Sequence, residues 1–143
     1  PTLDRETLER LARDRRTMQF FVVNLWNDEQ HYRPDLSFWN VRAYDTTAYP
    51  QPQFLKKAVH CGNAPPAFYG VPAKESYVPH ILLHKGLMAP EARFRKVERY
   101  DIYDPHAIHK GRDYYMALRS SKGGTIYDEA RVLAAIQTFV AKL

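Results

Sequence analysis

Residues 19–26 read QFFVVNLW. The run is strand-sized, and its apolar side chains fall on both faces of an extended chain. Such a strand belongs in the middle of a sheet, covered on both sides. The rest of the chain is read outward from it.

Before it, LDRETLERLARDRRT (3–17) predicts a helix, with Leu3, Leu8, Leu11, Ala12 and Arg15 near one stripe. Thr2 or Asp4 can cap it, and Arg13, Arg15 and Arg16 suit the negative end of its dipole. After it, NDEQ predicts a turn and LSFWNVRAY (36–44) a second strand, with HYRPD as the loop between them. QFLKKAVH (53–60), behind Pro52, predicts a short helix. CGNAPPAFYGVPAKES (61–76) carries only turn signals. YVPHILLH (77–84) predicts a strand that Pro79 restricts to an edge or an end.

RFRKVERYDIY (93–103) alternates. Phe94, Tyr100 and Ile102 take one face; Arg95, Arg99 and Asp101 take the other. RDYYMALR (112–119) alternates again, with Tyr114, Met116 and Leu118 together. Both are expected to be strands. The last element is a helix that begins at Thr125, with Asp128 three residues on and Gly123–Gly124 ahead of it. Its stripe runs Ile126, Ala130, Leu133, Ile136 or Gln137, and Val140. The expected fold is one α+β domain over residues 1–143: terminal helices on a mostly antiparallel sheet of four or five strands, with long Pro- and Tyr-containing central loops.

With 143 residues, 45% of them hydrophobic, the chain can build a core without disulfides or metals. Its single cysteine, Cys61, rules out an internal disulfide framework and points to a reducing, intracellular compartment. No apolar run reaches membrane-spanning length. The first residues show no signal peptide, and Asp4, Glu6, Glu9 and Asp14 argue against an organellar presequence. The net charge of +5 permits an anionic partner without demanding one.

Catalytic signatures are weak. His80 and His84 stand about 13 Å apart if extended, too far to share an ion. Asp101, Asp104, His106 and His109 form a looser group that turn formation explains as well. His60 and Cys61 are adjacent, which seldom lets a base reach a nucleophile. Lys96 and Glu98, with Glu75 and Asp101, lack the order of a metal-dependent nuclease. No metal or cofactor is expected. SSKGGT (120–125), leading into a helix, is a candidate anion cradle, although a tight turn needs the same glycines.

Binding signals are stronger. Nine of the ten prolines lie between Pro34 and Pro105, and six of the ten tyrosines lie in the same region. Ordering such loops costs entropy that contact must offset. Tyr49, Phe68 and Tyr69 are the expected protein-docking residues. Arg93, Arg95 and Arg99 on one strand face, with Arg112 and Lys122, are the expected contacts to an anion or to RNA. The sequence thus reads first as a structural or adaptor subunit of a multicomponent assembly, with other proteins and RNA as partners. The competing expectation is a small metal-dependent hydrolase or nuclease using His60, His80, Asp101 and His106.

Overall fold

The computed structural model describes residues 4–13, 15, 17–47, 74–108, 111–120 and 123–143. The predicted helix at 53–60 and most of the loop at 61–76 lie outside these residues. So do Tyr49, His60, Cys61, Phe68, Tyr69, His109 and Lys122.

The order is α1 (Arg5–Ala12), β1 (Thr17–Trp26), β2 (Asp28–Tyr32), β3 (Phe38–Tyr44), β4 (Tyr77–His84), α2 (Pro90–Tyr103), α3 (Arg112–Arg119), β5 (Thr125–Ile126) and α4 (Glu129–Lys142). The architecture is α+β. As its sequence predicts, β1 is central. It pairs antiparallel with β3 along Thr17–Val22 and parallel with β4 along Gln19–Asn24. The three strands around β1 are therefore mixed, while three of the four pairings among the described strands are antiparallel. At its C-terminal end β1 turns through Asn27 into β2, which carries β5 as a small two-stranded ribbon. The predicted NDEQ turn and HYRPD loop are partly strand, because Asp28–Tyr32 pairs with β1 and β5.

β1 is covered on both faces. Met18 and Phe20 pack with Val78 against Leu8 and Leu11 of α1. On the same face Trp26 packs with Leu87, Val97, Tyr100, Tyr115 and Leu118, beneath α2 and α3. On the other face Val23 and Leu25 meet Val132 of α4. β4 pairs only with β1 among the described residues. Its register slips between Phe20 and Phe21, so the chain around Pro79 drops out of the ladder.

Two expected strands are helices. Residues 90–103 form α2, which starts at Pro90 with Glu91 in its first turn. Arg93, Val97 and Tyr100 are buried at helical spacing, whereas Phe94 and Ile102 are exposed. Residues 112–119 form α3, burying Tyr115 and Leu118 and exposing Met116. Over so few residues a period of two and a period of 3.6 share several positions. Only the residue left out of the alternation, Val97, separates them.

The last helix starts later than its sequence suggests. Asp128 is the cap, accepting from the Arg131 backbone N–H at 3.0 Å, and Val132 and Ile136 face the core. Gly123 and Gly124 therefore lie before β5 rather than at a helix start. Their φ values are 101° and 109°. A Cβ on Gly123 would stand 2.9 Å from Arg33 Nη1, and one on Gly124 would stand 3.3 Å from His31 Cβ. These glycines let the chain close over the end of β1.

Candidate functional site

Among the described residues, buried polar side chains mark where the fold could do more than pack. They are Gln19, Asn24, Ser76, Arg93 and Asp104. Gln19 donates to Ser76 Oγ at 2.9 Å and ties β1 to the start of β4. Asp104 accepts from the Ile108 N–H and the Tyr115 hydroxyl and closes the link between α2 and α3. Arg93 is 1% exposed. Its guanidinium donates to the carbonyls of Leu87 and Met88 and to Asn27 Oδ1, and lies 4.0 Å from the Trp26 ring centroid. These three groups organise turns.

Asn24 differs because its partner is an imidazole. It interrupts an otherwise apolar stretch of β1 and is paired in register with His84 of β4. Its Nδ2 donates to the Leu36 carbonyl at 2.5 Å, and its Oδ1 lies 2.6 Å from His84 Nδ1. Its backbone N–H donates to Ser37 Oγ. The Leu36 bond fixes the amide, so Oδ1 must accept and Nδ1 must carry the proton. His84 Nε2 is then the bare nitrogen. Burial lowers the pKa of His84, and the charges of Lys96 and Arg42 lower it further. The ring is therefore neutral at neutral pH.

His80, on the same strand, is also held below its ordinary range, mainly by burial, and its Nδ1 is buried without a partner among the described residues. Both imidazoles carry a pH consequence. The unfolded chain takes up protons near 6.5, while the folded chain resists until lower pH. Stability should therefore fall as pH drops below 6.5. Thermal melts across this range should slope downward towards acid, and His84→Asn should flatten the slope. A melting temperature unmoved by acid in the parent, or an equal slope in the variant, would refute this.

Among the described residues, the other predicted ones do not converge. On a helix, Arg93 points into the core while Arg95 and Arg99 point out, so the expected three-arginine strand face does not exist. Arg112 is exposed at the start of α3. Asp101 pairs with Arg119 at 2.7 Å. His106 is exposed, and Asp104 is buried beside Tyr115. Lys96 lies about 6 Å from the ring centroids of Tyr100 and Tyr114. Among the described residues no group of three or more His, Cys, Asp or Glu side chains could hold a metal ion. No helix among them is long and apolar enough to cross a membrane. A cleft of about 160 Å³ beside Phe21, Tyr32 and Arg131 is below the usual size of a ligand site.

The surface offers a second feature. Phe94, Ile102, Tyr103, Ile108 and Met116, all on α2, α3 or the link between them, are 50% to 78% exposed. Ile102, Tyr103 and Ile108 cluster where α2 ends, since the Ile108 N–H bonds to Asp104.

Asn24 was not singled out by sequence reasoning. The available signal was Asn24 itself, because a lone amide in a strand buried on both faces must find partners. Comparison of the chain with protein-family models, with curated proteins and with solved structures finds no match.

Proposed function

We propose that the chain is a binding subunit of a multicomponent assembly that docks on a partner protein through the outer surface of α2 and α3. One observation supports the reading: of seven large apolar side chains at least half exposed among the described residues, five lie on α2, α3 or the link between them. Single exposed apolar residues are ordinary, whereas a concentration of them marks an interaction surface. Tyr103 and Met116 are residue types favoured at such surfaces.

A protein partner fits this surface better than RNA. Arg95 and Arg99 project from the outward side of α2, but Glu91 and Glu98 project with them. That side carries both signs of charge, unlike a phosphate-binding stripe.

The test is native mass spectrometry of the endogenous assembly, with the parent chain and with an Ile102→Ser/Ile108→Ser double variant. The variant should leave the assembly, while its isolated stability stays within about 0.5 kcal/mol of the parent, as for exposed positions. Nuclease treatment should leave the parent assembly intact. Retention of the variant, or dissolution by nuclease, would count against docking on protein through this surface.

A further inference from the structure

β4 leaves one edge of the sheet open. Among the described residues it pairs only with β1, and no residue of Tyr77–His84 is an acid, a lysine or an arginine. An open row of backbone donors and acceptors is a template for another strand, and folds guard it with proline, bulges or charge. Here Pro79 and the slipped register guard only the start of β4. His80–His84 runs on without such a guard, and Leu83 is 47% exposed.

The flank of α4 above that edge is also bare of charge. Val132 and Ile136 turn to the core, and the side with Arg131 and Ala135 lines the cleft beside Phe21 and Tyr32. The opposite flank carries Leu133, Gln137 and Val140 at helical spacing, half-buried or exposed. These belong to the stripe that the sequence predicts for the core, yet the fold leaves them beside it. No charge lies between Val132 and Ala141.

The open segment is complementary to itself. His80–Ile81–Leu82–Leu83–His84 has the same pattern in both directions. Paired antiparallel with its own copy about a twofold axis at Leu82, it sets Leu82 against Leu82, Ile81 against Leu83 and His80 against His84. Each pair shares one face of the sheet, because positions two apart do. Leu82 lies on the face of Met18 and Phe20, under α1, and Ile81 on the face of Val23 and Val132, under α4. Both imidazoles are neutral at neutral pH, so no like charges meet. We propose that two copies of the chain join β4 to β4 in this register and form one continuous sheet. The contact is separate from the surface of α2 and α3 and leaves it open to a partner.

α4 does not block the approach. Its Val132 meets Val23 and Leu25 of β1, so its axis stands back from the edge of β4. A setback of about half the ~4.8 Å strand spacing in each copy brings the two helices to the roughly 8–10 Å at which helices pack. Leu133 and Val140 then add helix area to a strand pair that is small, alone, for a stable interface.

The experiment is analytical ultracentrifugation of the full chain over a concentration series, with the parent, Leu83→Lys and Ile102→Ser/Ile108→Ser. The parent should be a dimer at about 100 μM, and Leu83→Lys should raise its dissociation constant about tenfold or more, as a charge placed on a strand edge does. Ile102→Ser/Ile108→Ser should dimerise as the parent does. Isotope-filtered NMR of mixed labelled and unlabelled parent should show contacts from the Ile81 methyls of one copy to the Leu83 methyls of the other. Those spectra need no variant, so they decide the register even should Leu83→Lys not fold. A parent that stays monomeric, a dimer undiminished in Leu83→Lys, or no Ile81–Leu83 contact between copies would overturn the proposal. So would a dimer lost in Ile102→Ser/Ile108→Ser and kept in Leu83→Lys, which would move the contact to α2 and α3.

Discussion

Arg93→Met will lower the stability of the fold by about 3 kcal/mol, the scale for leaving several buried acceptors unpaired. The methionine keeps much of the stem's volume but none of the donors. The Leu87 and Met88 carbonyls, at 2.6 and 2.9 Å from Nη1, and Asn27 Oδ1, at 2.9 Å from Nη2, all lose their bond. Leu87 is almost wholly buried, so water cannot readily replace the donor at its carbonyl. Trp26 also loses one of two flanking guanidiniums, the other being that of Arg33 at 4.8 Å from the ring centroid. Burial draws the pKa of Arg93 down, yet a guanidinium stays charged at neutral pH. Arg93→Lys should recover only part of the loss, since an ammonium cannot span the same fork of acceptors. Arg95→Met, on the exposed side of the same helix, should cost less than about 0.5 kcal/mol. Urea denaturation of the three variants checks the order. Equal midpoints for Arg93→Met and Arg95→Met would show that the buried guanidinium contributes nothing.

That contrast also explains how much of the fold was legible. β1 announced itself, because a run apolar on both faces has few other places in a small domain. β4 followed from its length and from Pro79, which accepts an edge position. α2 and α3 did not. Their arginines and aromatics fit a period of two over one short window, and the decisive fact, that Arg93 is buried with carbonyl partners, depends on a turn six residues upstream. An arginine at the inward position of a helix looks in sequence like an arginine on a surface strand. The expected basic face dissolved for the same reason: α2 turns Arg93 away from Arg95 and Arg99. The Asn24–His84 pair was half legible. A buried Asn must have partners, but which partners depends on the parallel register of β1 and β4, two strands separated by more than fifty residues.

The second large effect will appear in alkali. Stability should hold to about pH 10 and then fall steeply, because four tyrosines resist ionisation in the fold. Tyr100, Tyr114, Tyr115 and Tyr127 all have raised pKa values, in each case chiefly through burial. Tyr127 is pushed up to about 12, and Tyr114 and Tyr115 go higher. Tyr115 is 4% exposed and donates to the buried Asp104 carboxylate, which further opposes loss of its proton. The rings of Tyr100 and Tyr115 lie 5.0 Å apart, so one phenolate would also disfavour the next. In the unfolded chain these phenols ionise near 10.0. Above that pH the folded chain binds more protons than the unfolded chain, so rising pH favours unfolding. The stabilisation is complete below pH 10 and is lost as pH climbs through the folded values. A fully shielded phenol contributes a slope of roughly 1.4 kcal/mol per pH unit, and partial exposure of Tyr114 and Tyr127 reduces their share. Tyrosinate absorbance and thermal melts, recorded together from about pH 8 upward, should show one group of phenols titrating freely and another appearing only as the fold is lost. Tyr115→Phe should lower stability at neutral pH by about 2 kcal/mol, since Asp104 loses its buried donor, and should flatten the alkaline decline. If all ten tyrosines ionise in one step near 10 with the fold intact, the cluster under α2 and α3 is open to water, and the core drawn around Trp26 is wrong at that point.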